Sequence, residues 1–217
     1  MPTSHLYQLN EIVELIVLTN PTSVLDIGVG FGKYGFLARE FLEIWSDWEI
    51  YLNWKRRIDG IEIFEKYLTP VHKFIYDNIY IGNASDILPN LNIKYDLILL
   101  IDVLEHFEYD EGIKLLKLCN QHGRNIIIST PINIGKKGEV FGNPYEVHKF
   151  QWTSRHFKKF KNSFFVPNDL SLICYIGEDA NRVKKHVKKF NIKTKIKECF
   201  PFITPLYRNL KKLFHFS

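Results

Sequence analysis

The chain has few cysteines and no apolar stretch long enough to cross a bilayer. Its three cysteines, Cys119, Cys174 and Cys199, lie far apart in a sequence of 217 residues. An odd number of scattered cysteines cannot complete a disulfide framework, and their spacing is not that of a zinc site. No run approaches the ~20 apolar residues that a membrane-spanning helix needs. We therefore expect a cytoplasmic protein whose thiols are free and buried.

The amino terminus lacks the features of a secretory signal peptide, and the sequence contains no repeats. A signal peptide has a basic start, an apolar run and a small-residue cleavage site, whereas the apolar stretch 12–18 is interrupted by Glu14. Hydrophobic residues make up 46% of the chain and aromatic residues 15%. This content suffices for one buried core but not comfortably for two. We expect one globular domain with an appendage.

Positive charge is concentrated at the end of the chain. Between Arg182 and Ser217 there are eleven Lys and Arg residues and the single acid Glu198, a local charge of +10 in a chain of net charge +5. The remainder must therefore carry a net charge of −5. This asymmetry divides the sequence into a domain of residues 1–179 and a basic extension of residues 180–217.

The extension has the pattern of basic amphipathic helices, with apolar stripes at helical spacing in 183–190 and 206–213. The first interpretation is that these stripes pack on the domain or on a second subunit while the lysines are solvated. The second is that residues 183–216 bind an anionic membrane surface, which would place the protein peripherally at the inner membrane. Nucleic acid is less favoured, because the aromatic residues lie among aliphatic ones rather than on a base-stacking platform.

Short segments rich in Val, Ile and Leu alternate with helical patterns over the first 131 residues. Helical periodicity is clearest in Tyr34–Ile44 and Gly112–Leu118. Alternating strands and helices predict the α/β class, with a doubly wound, mostly parallel sheet. The predicted strands, each bounded by polar or glycine positions, are Ser23–Ile27, Ile58–Ile63, Asn78–Ile81, Tyr95–Ile101 and Asn125–Ser129.

The pattern changes after Pro131. A long loop is followed by a predicted helix near Thr153–Phe160 and by two strand-like runs, Phe164–Val166 and Leu170–Ile176. Only three residues separate these runs, so they predict an antiparallel hairpin at a sheet edge.

The turn after the first predicted strand contains three glycines at alternating positions, Gly28, Gly30 and Gly32. In an open parallel sheet, ligands bind beyond the carboxyl ends of the strands. Glycine permits positive φ and lets a ligand approach the backbone closely. Because Gly30-x-Gly32-x-x-Gly35 also fits the dinucleotide fingerprint, the glycines alone leave the ligand open.

The acid before these glycines favours a different ligand. Asp26, Gly28, Gly30 and Gly32 resemble the first motif of class I S-adenosylmethionine-dependent methyltransferases, an acid followed by alternating glycines. A pyrophosphate would be repelled by a carboxylate at Asp26, whereas the ammonium and sulfonium of S-adenosylmethionine would be attracted. The resemblance implies a seven-stranded Rossmann-like fold and a role for Asp26 at the methionine end of this cofactor. Capping of the turn is the alternative for Asp26.

Three further strand ends extend the resemblance, which covers about residues 22–131. The family assigns the ribose hydroxyls to an acid ending the second strand, here Glu62, since Asp59 lies at the wrong end of that strand. After the third strand it places an acid on the adenine amino group; Asp86 fits, with a helix N-cap as its alternative role. The implied cofactor-binding residues are Asp26, Gly28, Gly30, Gly32, Glu62, Ala84, Ser85, Asp86 and Asp102.

The interval from Gly28 to Glu62, 34 positions, is longer than the ~20 expected between a glycine loop and a ribose acid. The excess falls near Trp45–Trp54, which holds three of the four tryptophans. These residues could form a homodimer contact, a substrate wall or part of the core.

Two histidines are candidates for chemistry at the acceptor. A base is needed only if the acceptor must lose a proton, and histidine is the side chain best suited to that at neutral pH. His106 follows the fourth strand, where we favour a structural role. His148 lies in the loop Asn143–Trp152, which loosely resembles methyltransferases of glycan and natural-product pathways. That resemblance implies a small-molecule or glycan acceptor, with His148 as the base or as an acceptor ligand.

The sequence thus predicts a methyltransferase that acts on a small-molecule or sugar hydroxyl. It predicts no metal ligands, although it does not decide whether a divalent ion bridges a catechol-like acceptor. Two other functions stay open, a non-catalytic S-adenosylmethionine-binding partner subunit and an NAD-dependent oxidoreductase.

Overall fold

The computed structural model describes residues 3–45, 53–135 and 138–187. These residues form a seven-stranded sheet with strand order β3-β2-β1-β4-β5-β7-β6. The strands are β1 (Ser23–Ile27), β2 (Arg57–Glu62), β3 (Asn78–Ile81), β4 (Tyr95–Ile101), β5 (Gly123–Pro131), β6 (Ser163–Val166) and β7 (Ser171–Gly177).

The predicted fold class is confirmed. Strands β1 to β5 pair in parallel, and β7 runs antiparallel to both β5 and β6. The predicted hairpin of β6 and β7 is therefore present. Strand β7 lies between β5 and β6, and β6 forms the edge of the sheet. Strand β1 pairs with β2 on one side and with β4 on the other. The direction in which successive strands are added to the sheet therefore reverses at β1. This is the point at which open parallel sheets bind ligands.

Helices cover the sheet, and their lengths differ from the sequence-based expectation in two places. The predicted helix Tyr34–Ile44 divides into α2 and a π-helical turn, Glu40–Ile44. The helix expected over Thr153–Phe160 shortens to one turn that begins with a capping box between Thr153 and His156. The α-helices are α1 (Leu9–Thr19), α2 (Lys33–Arg39), α3 (Pro70–Ile75), α4 (Ala84–Ile87), α5 (Tyr109–His122) and α6 (Ser154–Phe157).

The core lies on the central strands. Residues 97–100 of β4 are fully buried, as expected for a parallel strand covered on both faces. On α5 the apolar positions Ile113, Leu116 and Cys119 recur at helical spacing and contact this core. Helix α1, which we did not predict, buries Ile12 and Leu15 in the same way. Cys119 and Cys174 are buried free thiols, as predicted, and burial raises their pKa values.

The chain divides into two compact units, residues 1–180 and 181–217. The sheet belongs to the first unit. In the second, residues 181–187 are helical, and residues 188–217 lie outside the described part of the chain. The membrane interpretation of the extension therefore stays a prediction. No helix within the described ranges is long and apolar enough to cross a membrane.

The long connection between β1 and β2 ends at a buried cluster of charges. Arg39, 3% exposed, forms ion pairs of 2.8 Å with both Glu43 and Asp77. The second oxygen of Glu43 accepts the backbone N–H groups of Lys55 and Arg56 at 2.6 and 2.8 Å. This cluster joins the described residues on either side of the gap 46–52 in the interval before Glu62. Trp48 lies outside the described residues, so the structure does not test whether it forms a homodimer contact, a substrate wall or part of the core.

We expect Arg39→Met to lower the free energy of unfolding by about 3–5 kcal/mol, because it leaves Glu43 buried without its guanidinium. Urea unfolding followed by circular dichroism measures this loss. Arg124→Met is the matched control, since Arg124 pairs with Glu178 at 3.0 Å on the surface and its side chain is 52% exposed. Equal shifts in the two variants would contradict the assignment.

Candidate active site

The carboxyl ends of β1, β2 and β4 open onto a cavity of about 730 Å³. A volume of this order is typical of small-molecule and cofactor sites. The cavity brings together every predicted site residue except Gly32. The predicted residues in its lining are Asp26, Gly28, Gly30, Glu62, Ala84, Ser85, Asp86, Asp102, His106 and His148.

The glycine turn adopts the backbone conformation that its sequence requires. Gly28, Gly30 and Gly32 have φ values of 76°, 52° and 86°. A Cβ atom on Gly28 would lie 2.7 Å from Cγ2 of Val103, which follows β4. Gly32 lies outside the cavity lining and instead caps the start of α2. The turn therefore has no room for a side chain at Gly28, whereas positive φ favours glycine at all three positions.

The peptide groups around Gly30 are held from both sides. Its N–H donates to Oε2 of Glu62 at 2.9 Å, and its carbonyl accepts from Nε2 of His72 at 2.9 Å. His72 donates through Nε2 because its Nδ1 accepts the N–H of Thr69 at 3.0 Å. His72 was not predicted from the sequence. Its position in a capping box at the start of α3 could have indicated it.

Glu62 keeps bonding capacity for a ligand. Its Oε1 accepts the N–H of Phe64 at 2.9 Å, and the backbone of Ile63 also donates to the carboxylate. With the bond from Gly30, three protein donors occupy a group that can accept about four hydrogen bonds. Burial raises the pKa of Glu62, although these backbone bonds oppose the shift. The competing acid, Asp59, lies away from the cavity and accepts hydrogen bonds from Arg57, Asn78 and Tyr95.

Asp26 is buried beside Tyr76, whose hydroxyl donates to Oδ2 at 2.7 Å. Burial is the main reason that the pKa of Asp26 rises to about 6, and the neighbouring charge of Glu62 adds to it. The bonds from Tyr76 and from the Gly35 backbone lower the same pKa. The Gly35 contact means that Asp26 also helps fix the turn, the alternative considered from the sequence.

Asp102 links three parts of the chain. It has a φ of 55°, and its carboxylate accepts the amide of Gln8 at 2.7 Å and the hydroxyl of Ser129 at 2.8 Å. Lys33 donates to the carbonyl of Ser4 at 2.6 Å, and residues 3–5 line the cavity. This amino-terminal wall was not foreseen, because these residues are far in sequence from the strand ends.

The alternative role for Asp86 was wrong. The N-cap of α4 is Asn83, whose side chain accepts the N–H of Ser85 at 2.9 Å. Asp86 lies in the first turn of that helix, exposed at the edge of the cavity. Its carboxylate is thus presented to a ligand without serving as the cap.

The long loop after β5 lies along the short turn Leu104–His106. The Lys149 N–H donates to the carbonyl of Glu105 at 2.7 Å, and the Trp152 indole donates to that of Leu104 at 2.8 Å. His106 donates from Nδ1 to the carbonyl of Val147 at 3.2 Å. These bonds bring His106 and His148 together, with ring centroids 5.1 Å apart.

Glu105 lies beside the two histidines in the cavity. It is 1% exposed and lines the cavity together with both histidines. One ligand atom from each of Glu105, His106 and His148 lies within 4.8 Å of the others. Glu105 belongs to the stretch after β4 that resembles the family, but the sequence indicated no role for it, because only the fold brings it near His148.

Comparison with solved structures gives the same architecture. The chain is similar to a SAM-dependent methyltransferase from Archaeoglobus fulgidus, with a TM-score of 0.51 and 16% identity over 72% of this chain and 86% of that one. An O-methyltransferase family protein from Burkholderia thailandensis matches with a TM-score of 0.55 and 11% identity over 78% of this chain and 56% of that one. Mitomycin 7-O-methyltransferase MmcR matches with a TM-score of 0.52 and 12% identity over 79% of this chain and 54% of that one. The chain has the methyltransferase fold. No family model and no curated protein matches it.

In this methyltransferase fold, the close approach of Val103 makes Gly28 intolerant of a side chain. We expect Gly28→Ala to cost about 2–5 kcal/mol in urea unfolding, from positive φ together with steric overlap. Gly142→Ala is the control, since it has a φ of 68° and no atom within 4 Å of the added Cβ. The double variant Gly28→Ala/Val103→Ala should recover part of the difference. Equal losses of unfolding free energy in Gly28→Ala and Gly142→Ala would show that steric overlap with Val103 does not contribute.

Proposed function

We propose that this chain is an enzyme that transfers a methyl group from S-adenosylmethionine to a hydroxyl of a small-molecule or sugar acceptor. The observation that carries the proposal is the convergence of a glycine turn and acids from successive strand ends in one cavity of a methyltransferase fold. The O-methyltransferase neighbours support an oxygen acceptor.

The donors and acceptors of the cavity fit this cofactor. Asp26 would bind its ammonium, Glu62 its ribose hydroxyls and Asp86 its adenine amino group, with Ala84 and Ser85 supplying backbone contacts. Asp102 and the turn at Gly28 and Gly30 would line the same space. When bound, S-adenosylmethionine supplies a methyl group on a positively charged sulfur. The protein contributes orientation and exclusion of water, from which much of the acceleration can come.

A dinucleotide fits the same cavity poorly. A pyrophosphate at a glycine turn is bound by backbone N–H groups. Here the N–H of Gly30 already donates to Glu62, and the two carboxylates Asp26 and Glu62 would repel a phosphate. The oxidoreductase alternative is therefore disfavoured by the hydrogen bonding of the turn.

The cavity also extends beyond the cofactor residues, which favours an enzyme over a non-catalytic partner subunit. His106 and His148 line its far end. His148 donates from Nδ1 to the carbonyl of Ile134 at 2.6 Å, so its Nε2 carries the lone pair. That nitrogen could accept a proton from an acceptor hydroxyl, the role predicted from the sequence, or could coordinate a metal.

Calorimetry of the purified chain tests cofactor choice. We expect binding of S-adenosylhomocysteine but not of NAD. Glu62→Ala should weaken S-adenosylhomocysteine binding at least tenfold, because each lost charge-assisted hydrogen bond costs about 1.5–3 kcal/mol. Glu65→Gln is the control, since Glu65 is exposed and outside the cavity lining.

Binding of NAD in place of S-adenosylhomocysteine would overturn the proposed function, whereas unchanged affinity in Glu62→Ala would reject only the ribose assignment. Transfer itself is measured by incubating cell extract with methyl-labelled cofactor and identifying the labelled product by mass spectrometry. Stoichiometric cofactor binding with no labelled product would favour the partner-subunit alternative.

The pKa of Asp26 predicts that cofactor affinity depends on pH. An ammonium group favours the ionised carboxylate, so affinity for S-adenosylhomocysteine should rise from pH 5 to 7, as Asp26 ionises with a pKa of about 6, and then level off. Binding at pH 6 should release protons, measured by calorimetry in buffers of different ionisation enthalpy. Asp26→Asn should flatten this dependence of affinity on pH, except for the part that comes from ionisation of Glu62. A profile unchanged in Asp26→Asn would contradict this assignment.

A further inference from the structure

The acceptor end of the cavity holds an arrangement of ligand atoms that the proposed function does not by itself require. One carboxylate oxygen of Glu105 and one nitrogen each of His106 and His148 lie within 4.8 Å of one another. Glu105 is buried and the two histidines are half-buried. Within the described ranges, Glu105, His106 and His148 are the group of three His, Cys, Asp or Glu side chains that could hold a metal ion.

Both imidazoles are fixed in the same tautomer. A backbone carbonyl only accepts hydrogen bonds, so the contacts of Nδ1 with Val147 in His106 and with Ile134 in His148 place the protons on Nδ1. In the neutral form of each ring, Nε2 is then the nitrogen that lacks a proton. Metal-binding histidines commonly donate their other N–H to a carbonyl in this way, which orients the ring and raises its basicity.

Backbone hydrogen bonds hold together the two segments that carry these three side chains. Glu105 and His106 are neighbours in the turn Leu104–His106, and its carbonyls accept bonds from Lys149 and Trp152. At the base of the loop, the Gln151 side chain accepts the N–H of Ile134 at 3.0 Å and donates to the carbonyl of Pro131 at 3.1 Å. The backbone thus holds His148 against the turn, so little ordering remains to be done on binding.

The charge of the cavity favours a cation. Among the described residues of its lining, seven acids face three lysines. A divalent ion would offset part of this negative charge. The acids are Asp26, Glu62, Asp86, Asp102, Glu105, Glu111 and Glu146, and the lysines are Lys33, Lys114 and Lys149.

We propose that Glu105, His106 and His148 bind a divalent transition-metal ion to which the acceptor coordinates through its oxygens. Two imidazoles and one carboxylate suit Mn²⁺, Fe²⁺, Co²⁺ or Zn²⁺, whereas Mg²⁺ and Ca²⁺ prefer oxygen ligands throughout. Metal–ligand bonds of about 2.0–2.2 Å require the three atoms to approach more closely than they do here. Side-chain rotation of Glu105 and the histidines supplies that movement.

Three protein ligands leave open coordination positions for the acceptor. This second half of the inference rests on the proposed function. An acceptor with two neighbouring oxygens, such as a catechol or a vicinal diol, would chelate the ion, and the ion would lower the pKa of the bound hydroxyl. His148 then acts as a ligand, because the Nε2 lone pair that binds the ion cannot also accept a proton.

Titration of the untagged, chelator-treated full chain with Co²⁺ tests the site without any need for activity. We expect one ion per chain, visible absorption bands of bound Co²⁺, and affinity at least tenfold weaker in His148→Ala and in Glu105→Gln. The matched control, His122→Ala, changes a histidine at the end of α5 outside the cavity lining and should bind Co²⁺ as the parent does. Circular dichroism and S-adenosylhomocysteine affinity show that each variant is folded.

The outcomes separate this site from the proposed function. A chain that binds S-adenosylhomocysteine but takes up no Co²⁺ at millimolar concentration, or whose His148→Ala variant binds Co²⁺ unchanged, overturns the site. A chain that binds Co²⁺ but not S-adenosylhomocysteine overturns the proposed function alone. For the acceptor, catechol should change the spectrum of the bound Co²⁺ more than phenol does. Equal effects of the two probes would refute chelation.

Discussion

The hydrogen bond from the Gly30 N–H to Glu62 is the interaction on which the proposed choice of ligand depends. It joins the turn after β1 to the end of β2 and uses a donor that a phosphate-binding turn would keep for its ligand. With His72 on the Gly30 carbonyl, the peptide groups around Gly30 are bound by protein on both sides. The strand ends beside the turn contribute the carboxylates of Asp26 and Glu62 to the cavity lining. This arrangement supports the proposed cationic ligand in a fold shared with many dinucleotide-binding proteins.

This preference has an electrostatic cost inside the domain. Asp26 and Glu62 are both buried, and burial raises the pKa of each because the charged forms lose hydration. Tyr76 and the backbone N–H groups of Gly30 and Phe64 offset part of that cost. A bound ammonium would offset more, so ligand binding and ionisation of Asp26 are coupled.

The acceptor end depends on a second set of backbone bonds. The loop after β5 gains its position by donating to the carbonyls of Leu104 and Glu105 and by accepting from His106. Only this alignment brings His148 near Glu105, although 42 residues lie between them in the sequence. The carbonyls of Val147 and Ile134 place the Nδ1 protons of His106 and His148. The proposed cofactor residues thus come from strand ends, whereas the proposed acceptor group comes from a loop held to a turn.

The sequence by itself determined the parallel sheet, its antiparallel edge hairpin and the acids Asp26, Glu62 and Asp102, because strand patterns and strand-end positions are local properties. Only the tertiary structure decided that Asn83 rather than Asp86 caps α4, that Gly32 lies outside the cavity, and that Arg39 forms a buried ion cluster. It also brought His72 against Gly30, Gln8 against Asp102 and Glu105 into the cavity. The last three contacts join residues distant in the chain, and no periodicity or spacing encodes such pairings.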